Sequence, residues 1–202
     1  MKIDQLISSV QAALGVEVDG KAGPETWTAI HTRVVGAARN AAASDVAIDT
    51  VDPRSEKVIS KLLPEVQPLA RALVQKAASN GIKIKVISGL RSYEEQDALY
   101  AQGRTTEGNI VTNAKGGFSN HNFGVAFDIG VFEGASYLGE SAKYRAVGVL
   151  GSELGLEWGG DWKTIVDQPH FQLRPSWGKD LSERDMLKEL RARAAAGGQI
   201  YS

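Results

Sequence analysis

The chain has no cysteine in its 202 residues. That excludes disulfides and any zinc site built on thiolates, and it leaves the compartment open. It has no run of roughly 18 or more apolar residues, so no membrane span is expected. It has no excess of either charge: 23 Lys and Arg stand against 24 Asp and Glu, a formal net of -1. A nucleic-acid surface usually shows as a basic patch and a high isoelectric point, so nucleic acid is not an expected partner. The opening stretch "MKIDQLISSVQAALG" also lacks the apolar core of a secretory signal, because Asp4 interrupts it. Synthesis in the cytoplasm is therefore expected, with any export by another route. What remains is ordinary, 43% hydrophobic and 23% charged, the balance of a globular protein with a packed core. The length suits one domain and a small extra module.

The pattern divides the chain into four parts. Leu6, Val10, Ala13 and Leu14 recur at helical spacing until Gly15. Asp19-Gly20 then signals a turn, and Pro24 suits the first position of a second helix that carries Trp27 and Ile30. Residues 1–36 are thus expected to form a small all-α module. Residues 37–52 are Ala-rich without an apolar period and are expected to be a linker, with helix possible in part. Residues 53–180 form the main domain, and 181–202 a C-terminal helix and tail beginning at Ser182.

Within the main domain, "QPLARALVQKAASNG" predicts a helix with Leu69, Leu73, Val74 and Ala77 on its stripe. "IKIKVIS" alternates as a strand with one wet face. Ser92 and Glu95 have capping-box spacing at the start of another helix. Val125, Phe127, Ile129 and Val131 alternate in a second strand, placing Ala126 and Asp128 on its other face. "KYRAVGVLGSELG" is a further helix and "HFQL" a last short strand. Strands and helices do not alternate strictly, so the expected class is α+β: a small antiparallel sheet with flanking helices.

Three residues suit metal chemistry. Catalytic zinc is typically held by three His, Asp or Glu ligands with one position left open. His121 enters the second strand, Asp128 lies on that strand's small-residue face, and His170 opens the last one. Gly124, Ala126 and Gly130 are expected to leave room there for a metal or substrate. Asp167, three residues before His170, is placed to act as general base toward an activated water. Each of these residues taken alone equally suits a structural role, the imidazoles as hydrogen-bonded groups and Asp128 as a surface charge. His31 has no carboxylate pattern around it and is expected at the surface.

At these residues the chain resembles a family. "SNHNFGVAFD" is similar to the SxHxxGxAxD motif of zinc D,D-peptidases and L-alanyl-D-glutamate endopeptidases, the VanY-like and phage-endolysin group. "DQPHF" resembles its second element and "SGLRSYEEQ" its upstream segment, in the right order. The resemblance implies a D-Ala-D-Ala peptidase, hedgehog-like fold with Zn2+ held by His121, Asp128 and His170. It makes Asp167 the general base and Arg91 a contact of the scissile carbonyl or developing oxyanion, with a surface salt bridge as its alternative. Ser119 and Gln96 would position substrate, or else serve as a turn residue and a helix-face polar group. Having Asp rather than Glu as base favours the endopeptidase branch.

"VQAALGVEVDGKAGPETWTAI" resembles a peptidoglycan-binding module written DGxxGPxT, here Asp19, Gly20, Gly23, Pro24 and Thr26. It is shorter than the usual three-helix module. The resemblance implies wall binding through Asp19, Gly20 and Trp27. The implied activity is hydrolysis of the L-Ala–D-Glu bond by an endolysin, a monomer reaching the wall after holin release. The alternatives are a D-Ala-D-Ala carboxypeptidase and a non-catalytic wall-binding protein. Trp158, Trp162 and Trp177 would wall the cleft or pack in the core.

Overall fold

The computed structural model describes residues 2–42 and 51–201. The chain divides between Ile48 and Asp49 into two compact units. The first holds α1 (Ile3–Leu14) and α2 (Pro24–Ala42). Gly15 ends α1 in the left-handed region at φ 72°, a conformation costly for any residue with a Cβ. Between the helices Gln11 is a hub, almost fully buried. Its Nε2 donates to Asp19 Oδ1 (2.7 Å), the Lys21 carbonyl (3.0 Å) and Thr26 Oγ1 (2.9 Å), and its Oε1 accepts from the Gly20 amide (2.9 Å). Asp19, Gly20 and Thr26 therefore hold the interhelical loop to α1. α2 continues through Ala42, into the stretch expected to be a linker, because alanine carries the highest helix propensity. Residues 43–50 of that expected linker lie outside the described residues.

The second unit is built on a five-stranded antiparallel sheet: β1 (Lys83–Ser88), β2 (Ala126–Glu133), β3 (Ser136–Leu138), β4 (Glu157–Trp158) and β5 (His170–Gln172). Its order is β1-β2-β5-β4, with β3 also pairing β2. α3 (Pro53–Ile59), α4 (Gln67–Ser79) and α6 (Lys143–Glu153) contribute to the main core. Ile59, Leu73, Val86, Phe127, Ile129, Val147 and Phe171 are all fully buried there. Burying a side chain of this size contributes about 1.5–3 kcal/mol, and the Phe127 and Phe171 rings stack at 5.8 Å.

α5 (Tyr93–Ala101) begins at the expected capping box: the Ser92 hydroxyl accepts from the Glu95 amide, and the Glu95 carboxylate accepts from the Ser92 amide. α7 (Glu183–Ala195) starts at Ser182 as expected. Its Met186 and Leu190 pack with Phe123 and Val125 in a second buried cluster. Arg191 adds a hydrogen bond to the Gly117 carbonyl (2.8 Å) and lies over the Phe118 ring. α7 thus braces the loop that carries His121. The short elements α3, β3 and β4 had no clear periodicity to announce them.

Candidate metal centre and active site

Sheet register brings the site together. Asp128 pairs with Ser88 of β1 on one side and with His170 of β5 on the other. Val86 pairs with Ile129, so β1 spends one extra residue, Ile87, before Ser88 meets Asp128. Such a bulge re-aims the following side chain. It turns the Ser88 hydroxyl toward the site.

His121 comes from the 3-10 turn Asn120–Phe123, whose start is capped by the Ser119 hydroxyl. Gly124 closes that turn at φ 68° and its carbonyl accepts from the Leu63 amide (3.0 Å). His121 Nε2 and His170 Nδ1 each lie 3.3 Å from the same oxygen, Asp128 Oδ1. The two rings are edge to face at 5.1 Å. One ligand atom from each residue falls within 4.8 Å of the others. His121 Nδ1 is 2.9 Å from the Gly89 carbonyl, which can only accept, so that nitrogen carries a hydrogen and Nε2 is the one that faces the centre.

The donor set is two imidazoles and one carboxylate, converging with side chains 5–15% exposed. This suits a divalent ion such as zinc. Burial pushes the Asp128 carboxyl up, but His121 and His170 outweigh it and hold it well below the usual carboxylate range. Burial pulls His170 down, and its hydrogen bond and charge interaction with Asp128 more than reverse that. Asp167 moves the other way. Burial and the neighbouring Asp128 charge raise it, against the pull of His170, His121 and Arg91. A carboxyl raised in this manner is matched to proton transfer nearer neutral pH.

Asp167 is positioned by backbone. Its amide donates to the Gly159 carbonyl (3.0 Å) and its carbonyl accepts from the His170 amide (3.2 Å). A Cβ at Gly159 would lie 2.5 Å from the Asp167 carbonyl oxygen, so only glycine permits this approach.

Arg91 Nη2 donates to Asp128 Oδ2 (2.8 Å) and to Ser88 Oγ (2.7 Å), an ion pair behind the candidate carboxylate ligand. Gln96 is fully buried; its Oε1 accepts from Arg91 (3.2 Å) and its Nε2 donates to Thr112 and Ala114. It supports Arg91 and has no surface for substrate. Ser119 is half-buried and spends its hydroxyl on the turn. The space over Gly130 is filled by the Tyr137 and Phe132 rings, which a Cβ would meet at about 3 Å, so it admits neither metal nor substrate.

The tryptophans separate. Trp158 is buried with Nε1 donating to the Gln168 carbonyl (2.8 Å), and Trp177 lies under Arg193. Trp162, half-buried, sets its ring 4.8 Å from His170 and walls the centre. In the first unit Trp27 is 59% exposed, while Asp19 and Gly20 are committed to Gln11.

Sequence reasoning missed Ser88, Asn120, Glu157 and Gln172. All four are ordinary polar residues until sheet pairing and the His121 turn gather them beside the centre.

The chain is similar to several known proteins. The family described as D-alanyl-D-alanine carboxypeptidase (peptidase M15) matches residues 112–173, the segment holding His121, Asp128, His170 and Asp167. The peptidoglycan L-alanyl-D-glutamate endopeptidase CwlK of Bacillus subtilis is 42% identical over 129 residues, covering 59% of this chain and 77% of CwlK. The L-alanyl-D-glutamate peptidase of Listeria phage A118 is 30% identical over 122 residues; the match covers 59% of this chain but only 40% of the phage protein. Among solved structures, the Serratia marcescens L-Ala D-Glu endopeptidase ChiX has a TM-score of 0.47 at 26% identity, over 61% of this chain and 88% of ChiX. The vancomycin-resistance D,D-pentapeptidase VanY, in complex with Zn(II), has 0.45 at 17%, over 63% and 78%. With its His-Asp-His centre and its likeness to CwlK, the chain belongs to the M15 peptidase family, the D-alanyl-D-alanine carboxypeptidases and L-alanyl-D-glutamate endopeptidases.

Proposed function

We propose that this protein is a zinc-dependent peptidoglycan hydrolase that cuts the L-Ala–D-Glu bond of the stem peptide. The observation that carries the reading is the buried convergence of His121 Nε2, His170 Nδ1 and Asp128 Oδ1, with the raised carboxyl of Asp167 beside it. The choice of bond is supported by the endopeptidase names of CwlK and the phage protein.

His121, Asp128 and His170 would hold the ion. When bound it supplies Lewis acidity, activating water near neutral pH and polarising an acyl oxygen. Asp167 takes the proton from the attacking water at its carboxylate and returns it to the leaving amine. Arg91, itself bonded to Ser88, keeps the Asp128 carboxylate aimed, and Trp162 covers one side of His170. In the first unit the exposed Trp27, in the first turn of α2, offers a surface for the wall beside the loop stiffened by Asp19 and Gly20. No helix among the described residues is long and apolar enough to cross a membrane. An endolysin of this kind would act on the wall after holin release, as a monomer.

Removal of the ion tests the metal half of this reading. Treating the protein with a chelator should abolish release of peptide from purified peptidoglycan, and added zinc should restore it. Undiminished hydrolysis by protein shown to be metal-free would overturn the metal-centre assignment.

A further inference from the structure

The two histidines present opposite nitrogens to the centre, His121 its Nε2 and His170 its Nδ1. A neutral imidazole has one donor and one acceptor nitrogen, so each ring needs something to put its hydrogen on the far side. For His121 that is the Gly89 carbonyl. For His170 the far side is Nε2, 3.0 Å from Gln172 Oε1.

An amide can present either end, and what decides it lies one step further out. Gln172 is fully buried, and its Nε2 donates to Glu157 Oε2 (2.7 Å). Glu157 is in turn bound by the Arg174 guanidinium, which stays charged and can only donate. A carboxylate so held only accepts, so the Gln172 NH2 must face Glu157. Its carbonyl oxygen must then face His170.

Asn120 reinforces the same orientation. Its Nδ2 donates to Gln172 Oε1 (2.6 Å) and to Glu183 at the start of α7, while its own Oδ1 is left buried without a protein partner. A buried unpaired acceptor costs about 1–3 kcal/mol. Turning the Asn120 amide over would point its oxygen at two other acceptors, which is worse.

We propose that Gln172 is a positioning residue that fixes the hydrogen of His170 on Nε2 and so presents Nδ1 to the metal, its own orientation being set by Glu157 and Arg174. The inference rests on the metal-centre reading above. It adds a chain of four residues in which a permanent charge, Arg174, dictates through Glu157 and Gln172 which nitrogen of His170 binds. Partners one shell beyond a metal ligand typically carry roughly 10–100-fold in affinity.

The first test needs no variant. Long-range proton–nitrogen NMR on the zinc-loaded full chain should show His170 bound through Nδ1 with its hydrogen on Nε2. Zinc on Nε2, with the hydrogen on Nδ1, would overturn the proposal whatever the protein's substrate. Next, Gln172→Met should leave a mixture of tautomers and weaken zinc binding, measured by competition with a chromogenic chelator, by about 10–100-fold. The paired exchange Gln172→Glu with Glu157→Gln keeps the total charge and keeps an acceptor facing His170, so it should recover most of that affinity. Unchanged zinc binding in Gln172→Met would contradict the proposal. So would a paired exchange that folds but binds as weakly as Gln172→Met, because packing alone would then be the role of Gln172. Failure of the metal-centre reading itself is distinct, since it would show as wild-type protein that binds no zinc.

Discussion

Asp167→Asn is expected to lower turnover on peptidoglycan by about 10²–10⁴, the usual contribution of a positioned general base, while zinc stays bound. The substitution keeps the shape and the backbone bonds to Gly159 and His170 and removes only the basic oxygen. It should also make the metal-free protein more stable at neutral pH. The folded-state pKa of Asp167 is raised by burial and by Asp128, so folding favours its protonated form. As pH rises from the unfolded value of about 3.9 through the raised one, the folded protein loses stability, and above the raised value it carries that penalty in full. Removing the charge removes the penalty. A higher melting temperature with lost turnover is the pattern of a site that trades stability for chemistry. A variant that lyses walls as fast as wild type would mean that another group takes the proton.

Asp128→Asn should be more damaging still to metal binding. It deletes the only anionic ligand and leaves both imidazoles and the Arg91 guanidinium around a neutral amide. Zinc affinity should fall by more than the roughly 10–100-fold expected one shell further out, with hydrolysis falling in parallel. The metal-free proteins should differ in their pH dependence. Asp128 has a strongly depressed folded-state pKa, so its stabilising charge is present above about 4 and is lost as pH falls through the folded value. His170 has a raised one, so its contribution is complete below about 6.5 and is lost as pH rises through the folded value. The pair therefore stabilises the metal-free wild type most between about 4 and 6.5. Thermal unfolding across pH should show that maximum in wild type and not in Asp128→Asn. Metal binding has the opposite preference, because the ion must displace the proton from His170.

How much of this was legible in the sequence depends on the kind of signal. His121, Asp128, His170 and Asp167 could be picked out because few residue types bind metals and their spacing resembles a known motif. The capped helix starts at Ser92 and Ser182 were legible because capping is a local matter. The duties of Arg91, Gln96 and Gln172 were not, since each depends on partners brought close by strand register and by the bulge at Ile87. Gly130 misled for a related reason: a missing side chain reads as open space in a sequence, and here a ring from β3 fills it. The Ala-rich stretch after Gly36 read as a linker because it lacks a buried stripe, yet backbone propensity carries the helix to Ala42.

The central claim is that this centre cuts the stem peptide between L-Ala and D-Glu. Its most direct test is mass spectrometry of purified peptidoglycan digested with the zinc-loaded protein. The account predicts fragments with new D-Glu amino termini, formed by wild type and absent with Asp167→Asn. Release of free D-Ala without those termini would contradict it and make the protein a carboxypeptidase.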